Sequence, residues 1–105
     1  MKYIITESQL NQAALKYLNS EYGDLKPFQS ETYPNFIYYK KNNIDILEYN
    51  KKYGTFRVNY DRIWSLFEDY FSMEDEQIQK LIKLWLEEHY NLRVTEILSP
   101  FHDFK

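Results

Sequence analysis

Three short runs of aromatic and β-branched residues follow one another between residues 36 and 60, and they constrain the fold more than any other feature. The runs are Phe36–Lys40, Ile44–Tyr49 and Thr55–Tyr60, and apolar and polar residues alternate in the last two. The connections between them contain Asn42 and Gly54, which adopt left-handed backbone conformations readily. This pattern predicts a three-stranded antiparallel meander. Strict alternation in the second run would place Ile44 and Ile46 on one face, and Leu47 and Tyr49 on the other.

Helical spacing of apolar residues predicts three helices around this meander. The first covers residues 7–22 and ends at Gly23, because glycine closes helix C-termini in the left-handed conformation. A second helix follows Asp61, whose carboxylate can cap its first turn. A third follows Ser72, with Asp75 three residues later in the position of a capping box.

The remaining segments are shorter or less regular. Residues 3–5 suit a short opening strand, residues 92–98 suit a last strand, and residues 24–35 contain two prolines without any period, which indicates an irregular loop. We therefore predict an α+β fold, with an N-terminal helix, a three-stranded antiparallel meander, two consecutive helices and a C-terminal strand. The helices pack on one face of the sheet, and residues 1–105 form a single domain.

Composition narrows the function classes. The chain has 105 residues, no cysteine, and no apolar stretch as long as a signal peptide or a membrane span, so we expect a cytoplasmic protein without disulfides. The net charge of −3 divides unevenly, into +2 for residues 1–60 and −5 for residues 61–105. Since phosphate contacts require a basic excess, this balance disfavours a nucleic-acid binder.

No group of residues has the spacing of a catalytic or metal centre. His89 and His102 are the only histidines and are too far apart in sequence for a zinc motif. His89 is therefore expected to pack or cap near a helix C-terminus. Residues 74–76 are three consecutive acids, which are favourable in the first turn of a helix. We expect no catalytic, cofactor or metal residues, and no enzyme.

Cationic and aromatic side chains concentrate on the predicted meander and its turns. Such a surface can bind a protein, since tyrosine and arginine are enriched at interfaces, or it can stack the bases of a single-stranded nucleic acid. The lysines can also simply keep the hairpin tips soluble. The candidate partner-binding residues are Tyr38, Lys40, Lys41, Lys51, Lys52, Tyr53 and Arg57.

Several phrases between residues 46 and 90 resemble a group of short, uncharacterised proteins of tailed bacteriophages of marine bacteria. They are Leu-Glu-Tyr-Asn-Lys-Lys-Tyr-Gly at 47–54, Val58, Ile-Trp-Ser at 63–65, Ile-Gln at 78–79 and Glu-Glu-His-Tyr-Asn-Leu at 87–92. The opening nine residues, Met-Lys-Tyr-Ile-Ile-Thr-Glu-Ser-Gln, are also similar. The resemblance implies a viral accessory protein or a small virion component. It carries over no catalytic residue.

Together these observations predict a non-enzymatic, protein-binding accessory module of phage type that acts on a host or viral protein. Two alternatives remain open. One is a small virion structural protein that self-associates. The other is a single-stranded nucleic-acid-binding protein that uses the tyrosines and lysines of the meander.

Overall fold

The computed structural model describes residues 7–102, with side chains from residue 9 onward. The helices are α1 (Glu7–Tyr22), a π-helical segment (Tyr60–Trp64) that leads directly into α2 (Ser65–Asp69), and α3 (Asp75–His89). The bounds of α1 confirm the prediction from apolar spacing. The opening strand predicted for residues 3–5 lies outside the described residues.

The strands are β1 (Lys26–Gln29), β2 (Phe36–Lys41), β3 (Ile44–Asn50), β4 (Thr55–Val58) and β5 (Glu96–Ile97). They form one sheet in the order β1-β2-β3-β4-β5. All neighbouring pairs are antiparallel except β4 and β5, which are parallel. A parallel neighbour needs a long crossover, and the helices between β4 and β5 provide it. The α+β class and the meander are therefore confirmed.

Two strand predictions are corrected by the structure. The segment predicted as an irregular loop contains β1, which pairs with β2 along its whole length despite Pro27. Proline is compatible with a strand at the edge of a sheet, and β1 is an edge strand. The last strand is much shorter than the predicted 92–98, because only two of its residues pair with β4.

Both predicted helix caps are also wrong. The helical segment that follows β4 is capped by Asn59, whose Oδ1 accepts a hydrogen bond from the backbone N–H of Arg62 at 3.1 Å. Ser72 lies in a left-handed turn (φ 52°) and cannot open α3. The cap of that helix is Glu74, two residues later, where Gln77 Oε1 accepts a hydrogen bond from the backbone N–H of Glu74 at 2.9 Å.

A bulge in β3 changes which of its side chains enter the core. Tyr39 pairs with Leu47 and Lys40 pairs with Asp45, so Ile46 is an extra residue opposite β2. Ile46 and Leu47 are both buried, at 2% and 0% exposure. The prediction that they occupy opposite faces is wrong, because the bulge interrupts the alternation.

One hydrophobic core lies between the helices and one face of the sheet. Every buried strand residue belongs to this core, and so do buried residues from all three helices. The sheet contributes Tyr39, Ile46, Leu47, Phe56, Val58 and Ile97; the helices contribute Ala14, Leu18, Phe67, Ile78, Leu81, Ile82, Trp85 and Leu86. In the described part of the chain, the opposite face of the sheet contributes none of the buried residues of this core.

Candidate functional site: the open face of the sheet

The strand register identifies the side chains on the face of the sheet opposite the core, because residues paired directly across strands point to the same side. One row runs across four strands as Phe28, Tyr38, Glu48 and Arg57. None of these four is a core residue. Two flanking rows share this side: Lys26, Lys40 and Asp45 in one, and Phe36, Asn50, Thr55 and Glu96 in the other. We call these eleven residues the open face.

The β1–β2 side of the open face is aromatic. Phe36 and Tyr38, two positions apart on β2, stack with ring centroids 6.4 Å apart. Tyr33, in the loop before β2, meets Phe36 edge-on at 6.1 Å and is 58% exposed. Phe28 is 49% exposed although it lies within a strand. Exposed rings that contact one another mark an interaction surface more often than isolated exposed rings do.

The charges on the open face are partly compensated by their neighbours. Lys40 Nζ lies 3.0 Å from Asp45 Oδ1 and 5.8 Å from the centre of the Phe28 ring. Burial raises the pKa of Glu48, while the guanidinium of Arg57 opposes that rise. Glu48 is therefore partly shielded from water, and it accepts a proton more readily than an exposed glutamate does.

A concave pocket of about 270 Å³ lies at the β4–β5 side of the open face. Its lining includes the charged residues Glu48 and Arg57 and the apolar residues Phe36 and Leu98. The pocket suits one inserted side chain of a partner, since its volume is below the range of about 300–1,000 Å³ that is typical of small-molecule sites.

The structure brings three of the seven predicted partner-binding residues together and separates the other four. Tyr38, Lys40 and Arg57 lie on the open face. Lys41 is attached to the end of α1 instead, where its Nζ lies 3.8 Å from Asp24 Oδ1 and 5.6 Å from the centre of the Tyr22 ring. A cation is favoured at that position by the helix dipole.

The other three predicted residues lie in the turn between β3 and β4. Lys51 Nζ donates a hydrogen bond to Gln29 Oε1 at 2.9 Å, which joins this turn to β1. Lys52 Nζ lies 5.3 Å from the ring of Tyr53, which is 61% exposed. These residues border the end of the sheet but do not belong to its open face.

Residues Phe28, Phe36 and Glu48 were missed by the reasoning from sequence. Phe28 lies in the strand that was predicted as a loop, so no face could be assigned to it. Phe36 and Glu48 lie in predicted strands. Their alternation with Ile37 and Leu47 was the signal in the sequence that could have placed them on the face away from the core. Only the register shows that they meet Tyr38 and Arg57.

His89 forms part of a polar contact between the C-terminal ends of α1 and α3. Its Nε2 donates to the carbonyl oxygen of Gly23 at 2.9 Å, and its ring contacts Trp85 and Tyr90. One turn away, Trp85 Nε1 donates to Asn19 Oδ1 at 2.9 Å. Within residues 7–102, no group of three or more histidine and acidic side chains is placed to hold a metal ion.

A second concavity, of about 320 Å³, lies between the π-helical segment, α3 and residues 99–102. The rings of Tyr60 and Trp64 line it, and Trp64 Nε1 donates to Asp75 Oδ1 at 3.3 Å. The hydrogen bond between Tyr60 and Glu68 raises the pKa of the tyrosine. His102 is at its edge, with Nδ1 3.9 Å from Asp61 Oδ2.

No protein-family model, curated protein or solved structure matches this chain. In the part of the chain that the structure describes, no helix has the length and apolar character required to cross a membrane.

Proposed function

We propose that this chain is a non-enzymatic protein-binding module and that the open face of its sheet is the docking surface. The observation that supports the proposal most is the row Phe28, Tyr38, Glu48 and Arg57, which crosses four strands outside the core. Aromatic residues and arginine dominate the energy of protein interfaces, because they bury large areas and form directional contacts.

The charge balance of the open face favours a protein over a nucleic acid. Lys26, Lys40 and Arg57 are its cations, and it carries as many acids, namely Asp45, Glu48 and Glu96. The negatively charged phosphodiester backbone of a nucleic acid would gain no net attraction from such a face. A protein surface with mixed charges and apolar side chains can satisfy both the ions and the rings.

The test compares the wild-type chain with a Phe28→Ala/Tyr38→Ala variant and with Tyr70→Ala as the matched control. Tyr70 is 80% exposed and lies after α2, away from the sheet. Each protein is immobilised, and bound proteins from bacterial lysate, together with free copies of the same chain, are quantified by mass spectrometry. We expect at least one protein to be retained by the wild type and the control but not by the double variant.

The proposal is rejected if the wild type and the double variant retain the same proteins in the same amounts, with circular dichroism showing that both are folded. An equal loss in the Tyr70→Ala control would show that the open face has no special role.

Single-stranded nucleic acid is the second candidate, and the stacked rings of Phe36 and Tyr38 favour it. Rings on an uncovered sheet can stack with bases, and each stacked base contributes about 1–3 kcal/mol. This alternative predicts oligonucleotide binding that falls steeply with added salt and is weakened by Tyr38→Ala. Fluorescence anisotropy with a labelled oligonucleotide, measured at two salt concentrations, distinguishes it from protein docking.

The biological setting that we propose is a phage accessory protein in the bacterial cytoplasm. Its support is the resemblance of residues 46–90 to short phage proteins.

A further inference from the structure

The open face is complementary to itself when it is turned end for end. Its central row reads, from β1 to β4, aromatic, aromatic, acid, base: Phe28, Tyr38, Glu48, Arg57. The reversed row reads base, acid, aromatic, aromatic. Superposing the two places an arginine on a phenylalanine and a carboxylate on a tyrosine, and both are favourable pairs.

The neighbouring row has the same property. Lys40 on β2 pairs with Asp45 on β3. Exchanging β2 and β3 places each of these charges over one of opposite sign. The arrangement that achieves both exchanges is a two-fold axis that runs parallel to the strands and passes between β2 and β3.

From this complementarity we infer that the occupant of the open face is a second copy of this chain, bound face to face about that axis. The inference rests on the proposed function, since it names the partner of the same docking surface. In the dimer, Tyr38 faces Glu48 of the second copy, Phe28 faces Arg57, and Lys40 faces Asp45, and each contact occurs twice. An interface of this kind is isologous and closed, so it produces a dimer and not a filament.

Other arrangements of the same face are less favourable. An axis along β3 would place Glu48 against Glu48 of the second copy. An axis perpendicular to the strands and along the central row would place each strand over its own equivalent, so that Glu48 faces Glu48 and Arg57 faces Arg57 of the second copy. Like charges that meet across an interface oppose association.

The backbone edges of the sheet do not suggest a competing mode of self-association. The outer strand β1 has four residues and contains Pro27, which lacks the N–H that a further strand would need. The strand at the other edge, β5, has two residues.

The experiment is a charge exchange measured by light scattering after size-exclusion chromatography. The wild type is expected at twice the 13.0 kDa mass of one chain at micromolar concentration. Lys40→Glu alone places two acids together at each of two symmetric contacts, and Asp45→Lys alone places two lysines together. We expect the dissociation constant of the dimer to rise at least tenfold for each variant by itself. An equimolar mixture of the two should recover the dimer, because both contacts then join opposite charges.

The matched controls are Lys83→Glu and Glu88→Lys, which make the same changes of charge at exposed positions of α3, outside the open face. They should leave the dimer unchanged. Phe28→Ala serves as a second probe, because it removes an exposed ring without changing the charge of the open face, and it should also weaken the dimer at least tenfold. Circular dichroism verifies that every variant is folded.

A mass of one chain at all concentrations up to millimolar overturns the inference, and so does a dimer that Lys40→Glu, Asp45→Lys and Phe28→Ala all leave unchanged. A monomer whose open face still captures another protein, and loses it with Phe28→Ala/Tyr38→Ala, overturns the dimer but leaves the proposed function standing. A monomer whose open face captures nothing overturns both.

Discussion

Replacing Tyr90 by phenylalanine tests how the chain segment after α1 is attached to α3. The Tyr90 hydroxyl accepts a hydrogen bond from the backbone N–H of Leu25 at 3.0 Å and donates one to the carbonyl oxygen of Tyr22. Leu25 is a core residue, so its N–H cannot easily turn to water. Burial also raises the pKa of Tyr90, as expected for a hydroxyl held away from solvent.

The magnitude follows from what the substitution leaves behind. Phenylalanine preserves the ring contacts with Trp85 at 5.4 Å and Tyr39 at 5.9 Å, so little apolar packing is lost. The backbone N–H of Leu25 loses its partner, and a buried unsatisfied donor costs about 1–3 kcal/mol. We therefore expect Tyr90→Phe to lower the free energy of unfolding by about 2 kcal/mol. For a domain of this size, each kcal/mol corresponds to about 4–8 °C in Tm.

Urea denaturation followed by circular dichroism measures this difference, with Tyr70→Phe as the control. Tyr70 is 80% exposed, so removing its hydroxyl should change the stability by less than about 0.5 kcal/mol. If the two variants unfold at the same urea concentration, the Tyr90 hydroxyl does not hold the two segments together, and the reasoning is refuted.

Three further predictions concern stability. Asn59→Ala removes a fully buried side chain that caps a helical segment and donates a hydrogen bond from Nδ2 to the Asp45 carbonyl at 2.9 Å. We expect the free energy of unfolding, measured by urea denaturation, to fall by about 2 kcal/mol. A decrease of less than about 0.5 kcal/mol would contradict this. Gly54→Ala places a Cβ about 2.5 Å from Thr95 Oγ1 in a residue with a positive φ of 70°. We expect the free energy of unfolding to fall by about 1–2 kcal/mol, and a second substitution, Thr95→Ala, to restore only part of it. Complete recovery in the double variant would show that the backbone conformation is not strained. Burial raises the pKa of Tyr22 to about 12. Its neutral hydroxyl therefore contributes fully to folding stability below pH 10, and this contribution disappears as the pH rises from 10 to 12. Tyr22→Phe should therefore make the urea midpoint depend less on pH in that range, and an unchanged dependence would argue against the shift.

The proposed dimer and the proposed docking function make separate demands on the same surface. A dimer requires the row from Phe28 to Arg57 to match its own reverse, whereas docking of another protein requires only that the row be accessible. The mixture of Lys40→Glu and Asp45→Lys separates these demands, since no unrelated partner would restore binding between two variants of this chain.

Local patterns were sufficient for the elements whose stabilising contacts lie close together in sequence. The apolar spacing of α1 and the turn residues of the meander predicted residues 7–22 and the first two central strands to within one residue. The third strand was predicted to end at Tyr60, but β4 ends at Val58, because Tyr60 begins the helical segment that Asn59 caps. The left-handed conformations of Asn42 and Gly54 were predicted for the same reason, because a tight turn depends on only a few neighbouring residues. Tyr38, Lys40 and Arg57 could be selected from these patterns.

Tertiary structure decided everything that depends on which distant segments pair. Strand β1 exists because β2 lies beside it, and its own four residues, with a proline, carry little strand signal. The bulge at Ile46 reversed the expected alternation because packing against the helices favours two adjacent apolar side chains in the core. The open face became visible only when the register placed Phe28, Glu48 and Arg57 in line. Composition and periodicity determined α1, the central meander and the class of fold, but pairing across the sheet brought the candidate site together. Residues 28 and 57 have no local interaction through which the sequence could reveal their alignment.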